Sequence, residues 1–212
     1  MNATEPLGRR ERNKMLKRER IVSSARALFR LQGYDQTTTR EIAIAADVAA
    51  GTLFSYACDK RDIVLMIIND ELEAALATPP PLDDASPLDE QLARLFRPNY
   101  EFFARERAIA LAGLREISSI SRPAENDSRE VQRLHRRRAR TRERISEILQ
   151  AALGAKGDPL PADWLELALD IVISIQNANV RLWLQGEPSS PEVGLDRLRR
   201  QLVMVIDGLR SR

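Results

Sequence analysis

The sequence predicts an all-α protein, and three observations carry that prediction. Ala, Leu, Arg and Glu dominate its 212 residues, whereas there are only 9 glycines and the aromatic share is 5%. That balance favours helices over the β-branched and aromatic composition of sheets. Apolar residues recur at spacings of three and four along most of the chain, the period of a helix with one buried face. Proline and glycine fall mostly between these stretches, where helices end. With 43% hydrophobic and 30% charged residues, the chain has enough apolar surface for a real core.

The elements follow in order. From about Leu16 to Leu31, Ile21, Ala25, Leu28 and Phe29 form one apolar stripe that Gly33 and Tyr34 terminate. In TTTREIAIAA (37 to 46), Thr38 stands three residues before Glu41, the spacing of a capping box, and Ile42, Ala43 and Ala46 turn inward. After Asp47 and Val48, a third short helix spans Ala49 to Tyr56, and Asp59 caps a fourth from Lys60 to about Ala77. TPPPLDDASP (78 to 87) cannot continue a helix and marks a boundary or long corner. Helical segments then cover 88 to 106, with a kink expected at Pro98, 107 to 120, about 126 to 155, and 161 to 187. A last stripe runs through Leu195, Leu198, Leu202, Val205, Ile206 and Leu209, for about nine helices in all.

Charge is distributed unevenly. Residues 1 to 60 carry 11 Lys/Arg against 7 Asp/Glu, the remainder 22 against 24. The basic stretch RRERNKMLKRER (9 to 20) is a solvated tail, extends the first helix or reaches a minor groove. The helix at 38 to 46, a short turn and the helix at 49 to 56 have the helix-turn-helix layout, in which the second helix enters a DNA major groove by its N-terminal end. Gly51 is costly in a helix interior, so a partner that approaches the backbone explains it better than packing does. Ala50 and Gly51 admit that approach, Thr52 offers a hydroxyl and a methyl, and Leu53 anchors the inner face.

RIVSSARALFRLQGYDQTTTREIAIAADVAAGTLFSYACDKRDIV (20 to 64) resembles the DNA-binding domain of the tetracycline-repressor (TetR) family of transcriptional regulators. The resemblance covers about 45 residues. It implies a DNA-binding domain over 1 to 60, with its basic arm, and a helical ligand-binding and dimerising domain over 61 to 212. In the family the last two helices pair with those of a second copy as a four-helix bundle. Matched position by position, Thr38, Thr39 and Arg40 stand where the family caps its second helix and contacts phosphate and base edges. Ala50, Gly51 and Thr52 match the reading end of the recognition helix, and Lys60 matches a phosphate-binding position. Phe54 replaces the usual phosphate-contacting tyrosine, with Ser55 or Tyr56 as substitutes. Asp47 stands at a turn position usually held by glycine, so a left-handed or bridge conformation is expected there. Ala49 replaces a hydroxyl cap, and Ala57 a usual aromatic.

The remaining signals are weighed against ordinary packing. RLHRRRARTRER (133 to 144) spreads its arginines around a helix and reads as a solvated face or ion-pair network rather than a second nucleic-acid patch. His135 is the only histidine, so His-based catalysis and His-ligated metal have nothing else to use; no enzyme, cofactor or metal is expected. Cys58 reads as an inert small residue rather than a redox sensor. Charged residues interrupt the apolar window 165 to 184, so a buried helix and no membrane partner are expected. MNATEPLGRRERNK has no apolar leader core, and a cytoplasmic location is expected. Gln176 and Asn179 fall in a row with Val172 and Trp183, inside the apolar arc of their helix. Buried amides need partners, and here the partner is a ligand, the other subunit or a neighbouring helix. Phe96, Tyr100, Phe103 and Trp183 are candidates to line an apolar pocket with them. The combined expectation is a homodimeric regulator, most simply a repressor, that leaves a pseudo-palindromic operator when an apolar or amphipathic small molecule binds. The alternative is a helical small-molecule binder or enzyme with a vestigial motif.

Overall fold

The structure, a computed structural model, describes residues 8–81, 85–120, 122–154, 160–187 and 189–210. Among these residues there are nine helices and no strand: α1 (Arg9–Gln32), α2 (Thr39–Ala45), α3 (Ala50–Phe54), α4 (Lys60–Ala77), α5 (Leu88–Arg105), α6 (Arg107–Ser118), α7 (Arg129–Leu153), α8 (Ala162–Gln185) and α9 (Pro191–Arg210). The expected all-α class is borne out.

Helix α4 is the axis of the molecule. Every residue from Asp62 to Asn69 is buried, the mark of a helix enclosed on all sides. It packs against α1, α5, α6 and α7, so it joins the N-terminal helices to the middle of the chain. Two polar residues in this stretch are matched locally. Asp62 accepts from the Cys58 amide at 2.9 Å and from the Ser128 hydroxyl, and Asn69 donates to the Glu130 main-chain oxygen at 3.0 Å.

Helix α1 buries Ile21, Ala25 and Phe29 as its periodicity predicts, but it begins at Arg9 instead of near Leu16. The basic stretch from Arg9 therefore extends the helix; residues 1–7 lie outside the described residues. Arginines then tie α1 to the body. Arg18 grips Asp70 of α4 with two bonds of 2.7 Å. Arg26 reaches Glu71 at 3.3 Å and Glu106 at 3.1 Å, and Arg30 also pairs with Glu106. The Glu106 carboxylate is buried, so this pairing supplies the partners a buried charge requires.

Helix α5 runs unbroken through Pro98, the expected kink position. Helix α9 lies along α5 and α8, burying Leu195, Leu198, Leu202 and Ile206.

Candidate functional site

The first constellation is the pair α2 and α3. Thr38 closes the expected capping box: its hydroxyl oxygen accepts from the Glu41 amide at 3.2 Å, and its own amide donates to the Glu41 carboxylate at 2.8 Å. These bonds hold the Glu41 carboxyl below its ordinary value. Asp47 takes a left-handed conformation at φ 51°, as expected for this turn. Arg20 steadies it, donating to its carboxylate at 3.1 Å and its carbonyl at 3.3 Å. The third helix is shorter than its expected span, because Ala49 and Ser55 are its caps; Ala49 offers no side-chain bond.

Around this pair, Thr38, Arg40, Ala50, Gly51, Phe54 and Ser55 are exposed, whereas Thr39, Thr52, Tyr56 and Lys60 are half-buried. Leu53 is fully buried and anchors α3. A Cβ built on Gly51 would meet nothing within 4 Å, so the chain's own packing does not demand glycine there. Phe54 is 51% exposed. The Ser55 hydroxyl donates to the Thr52 carbonyl at 2.6 Å, and the Tyr56 hydroxyl to the Lys14 carbonyl at 3.3 Å. The Lys60 ammonium donates to the carbonyls of Tyr34 at 2.9 Å and Asp35 at 3.2 Å, and lies 4.4 Å from the centre of the Tyr34 ring. It braces the corner between α1 and α2. Cys58 is exposed, and Asp62 raises its thiol pKa, with burial adding to the shift. A thiolate is thus disfavoured, in line with an inert cysteine.

The second constellation is an open cavity of about 560 Å³ lined by α4, α5, α6, α7 and α8. Ile68, Leu72, Phe96, Phe103, Ile173 and Val180 give it apolar walls, while Arg137, Arg138, Arg142 and Arg181 supply cationic ones. Of the six pocket candidates in the sequence, Phe96, Phe103 and Gln176 line it.

Tyr100, Asn179 and Trp183 do not line this cavity. Asn179 donates to the Tyr100 hydroxyl at 2.7 Å and to the Gly194 carbonyl at 2.8 Å, and Tyr100 donates to Gln176 Oε1 at 3.1 Å. The Tyr100 and Trp183 rings lie 5.1 Å apart, and the Trp183 indole N–H donates to Ser189 at 2.8 Å. Burial pushes the Tyr100 phenol up to about 12, with the Asn179 bond acting against it. Three of the candidates thus pack together between α5, α8 and α9, with Asn179 Oδ1 left without a hydrogen-bond partner among the described residues, and Gln176 links them to the cavity.

The arginine-rich run divides. Arg133 pairs with Asp70 at 2.9 Å, Glu73 at 2.6 Å and Glu130 at 2.9 Å. Arg142 binds Glu166 and Asp170, and Arg144 binds Glu147. That much is the expected ion-pair network. Arg137 and Arg138 depart from it and line the cavity; their neighbours in sequence gave no signal, because the groups they face come from other helices. Among the described residues no cluster of His, Cys, Asp and Glu is arranged to hold a metal ion, and no helix is long and apolar enough to cross a membrane.

Comparison with known proteins agrees with the first constellation. Residues 21–67 match the model for bacterial regulatory proteins of the tetR family. The HTH-type transcriptional regulator HbdR of Aromatoleum sp. (strain CIB) is 39% identical over 57 residues, 27% of this chain and 25% of that protein. The match thus spans about a quarter of that relative's length. Thermus thermophilus FadR, a TetR-family transcriptional repressor solved in complex with lauroyl-CoA, is 26% identical, with a TM-score of 0.56 over 88% of this chain and 93% of its own. A TetR transcriptional regulator from Rhodococcus sp. RHA1 shares the fold at 16% identity, with a TM-score of 0.64 over 89% of this chain and 93% of its own.

Proposed function

We propose that this chain, whose residues 21–67 match the tetR family of bacterial regulatory proteins, is a homodimeric repressor of that family, released from a pseudo-palindromic operator by an amphipathic small molecule. The observation that carries this reading is the N-terminal end of α3. Leu53 is buried beneath it, Ala50 and Gly51 are exposed, and the space over Gly51 is open. A helix anchored on one side and bare on the other can bring its backbone against base edges. Thr52 then offers a hydroxyl and a methyl to the bases, while Thr38, Thr39 and Arg40 meet phosphates and base edges from α2. The Ser55 hydroxyl is held by the Thr52 carbonyl at 2.6 Å, so Tyr56, whose 3.3 Å bond to the Lys14 carbonyl is the weaker one, exchanges that bond for the phosphate in place of the hydroxyl that Phe54 lacks. With the Lys60 ammonium held by two carbonyls, the phosphate contact at that position falls to the backbone N–H groups that open α4. Two copies related by a two-fold axis read a palindrome by symmetry.

The cavity is the effector site in this reading. Its apolar walls and arginines suit a ligand with an apolar chain and a polar head, and a relative 26% identical to this chain was solved with lauroyl-CoA. Ile68 and Leu72 bring the cavity to α4, and Asp70 on the same helix holds Arg18 of α1. A ligand that displaces α4 therefore moves α1 and alters the spacing of the two reading helices. Ligand and operator must weaken each other by the same factor.

The test is fluorescence anisotropy of the full chain with the DNA upstream of its own gene, beside a scrambled duplex, at two salt concentrations and with lauroyl-CoA added. Preference that survives salt, followed by release on adding the thioester, is expected. Equal and salt-sensitive affinity for both duplexes would instead describe sequence-neutral binding. A thioester that binds without changing operator affinity would overturn the release mechanism.

A further inference from the structure

We propose that the cavity between α4 and α8 takes an acidic amphiphile, with Arg137 as the cation that seats the acid. This deepens the reading of the cavity as the effector site and rests on it. Arg136 and Arg140 of α7 are exposed to solvent, and the other half-buried arginines around Arg137 are matched: Arg133 by three carboxylates, Arg142 by two, Arg144 by Glu147. Arg138 donates to the Ile120 carbonyl at 2.9 Å. Arg137 has one bond, from Nε to Asn69 Oδ1 at 3.5 Å, the outer limit of a hydrogen bond. Among the described residues no carboxylate pairs with it. Glu73 acts on it from a distance but is engaged by Arg133 at 2.6 Å. Burial and the like charges of Arg138 and Arg133 lower the Arg137 guanidinium to about 10, which still leaves it charged at neutral pH.

Arg137 is half-buried, and a charge drawn out of water without a partner is costly and is retained where something else neutralises it. Here that something must reach Arg137 through the cavity it lines, past Ile68, Leu72, Phe96 and Phe103. The complement of such a site is an apolar chain that ends in an anion. Arginine's planar fork suits a carboxylate or a phosphate equally, so a free long-chain acid and a nucleotide thioester share the required chemistry. The position also couples to DNA binding. Asn69, the present partner of Arg137, donates to the Glu130 carboxylate at 3.2 Å, and Glu130 lies 4.0 Å from Arg18 of α1. An anion that draws Arg137 off Asn69 acts two contacts away from the DNA-binding part.

The test is calorimetric titration of the full chain with laurate, lauroyl-CoA and dodecanol, comparing the wild type with Arg137→Gln and Arg137→Lys, each checked for native circular dichroism. We expect Arg137→Gln to weaken at least one anionic probe about tenfold or more, dodecanol less than about twofold, and Arg137→Lys to recover part of the loss. The probe that responds distinguishes carboxylate from phosphate. Equal weakening of all three probes, or none, would overturn the anion seat and leave the effector cavity standing. Failure of every probe to bind the wild type would overturn both. Should Arg137→Gln not fold, Arg137→Lys alone decides: anionic affinity that tracks dodecanol affinity in that variant counts against the seat.

Discussion

At Gly194 of α9, a methyl group would lie 2.6 Å from Tyr100 Cε1 and 3.1 Å from Trp183 Cδ2. Neither ring can yield freely, because Tyr100 is bonded to Asn179 and Gln176, and Trp183 to Ser189. Gly194→Ala is therefore expected to destabilise the fold by about 1–3 kcal/mol through overpacking, despite alanine's better helix propensity. Gly51→Ala is expected to do the opposite, because its Cβ meets nothing and helix propensity adds roughly 0.5–1 kcal/mol. Urea unfolding of the two variants checks both signs, and operator titration of Gly51→Ala should show weaker binding by a more stable protein. A glycine's presence is legible in sequence, but its reason is not. Gly51 and Gly194 read alike until the atoms above them are placed.

Among the elements, α1, α4 and α7 are clamped at Asp70, which binds Arg18 at 2.7 Å and Arg133 at 2.9 Å. Burial acts to raise the Asp70 carboxyl, but the two arginines outweigh it and hold it below its ordinary value. A carboxylate whose folded pKa is depressed stabilises the protein above its unfolded value of about 3.9, and that stabilisation is lost as pH falls through the folded pKa. Asp70→Asn is thus expected to cost about 1–2 kcal/mol at pH 7, the range for a part-exposed charged bond. In urea titrations the deficit should stay level down to about pH 5 and shrink below about pH 4. Such a clamp also explains why the start of α1 escaped the periodicity. Residues 9 to 17 are exposed on every side and carry no apolar stripe, and Gly8 provides no side-chain cap. The boundaries of α2, by contrast, were legible because Thr38 and Glu41 lie within one turn and complete each other's bonds.

The whole molecule leaves apolar surface uncovered on its last two helices: Leu167, Ile171 and Leu182 on α8, and Val193, Val203 and Met204 on α9. Leu182 is 49% and Met204 78% exposed. Burial of such a face in a second copy would stabilise the pair by about 25 cal/mol for each Å² of apolar surface covered. The double variant Leu182→Arg, Met204→Arg is expected to halve the mass in analytical ultracentrifugation and to lose operator affinity with its fold intact. A dimeric variant that still binds the operator would place the interface elsewhere.

The chain by itself determined the all-α class, the order of the helices, the capping box and the tetR-family segment, because each rests on residues within a few turns of one another. Tertiary structure alone decided which side chains face the cavity and which close on themselves. Arg137 meets Asn69 across 68 residues, and Asn179 meets Tyr100 across 79. Periodicity can say that Asn179 and Gln176 turn inward, but the groups each one bonds arrive from other helices. The same holds for charge: Arg133 and Arg137 sit one turn apart on α7, and Asp70 and Glu73 of α4, with Glu130 of α7 itself, match the first and leave the other open.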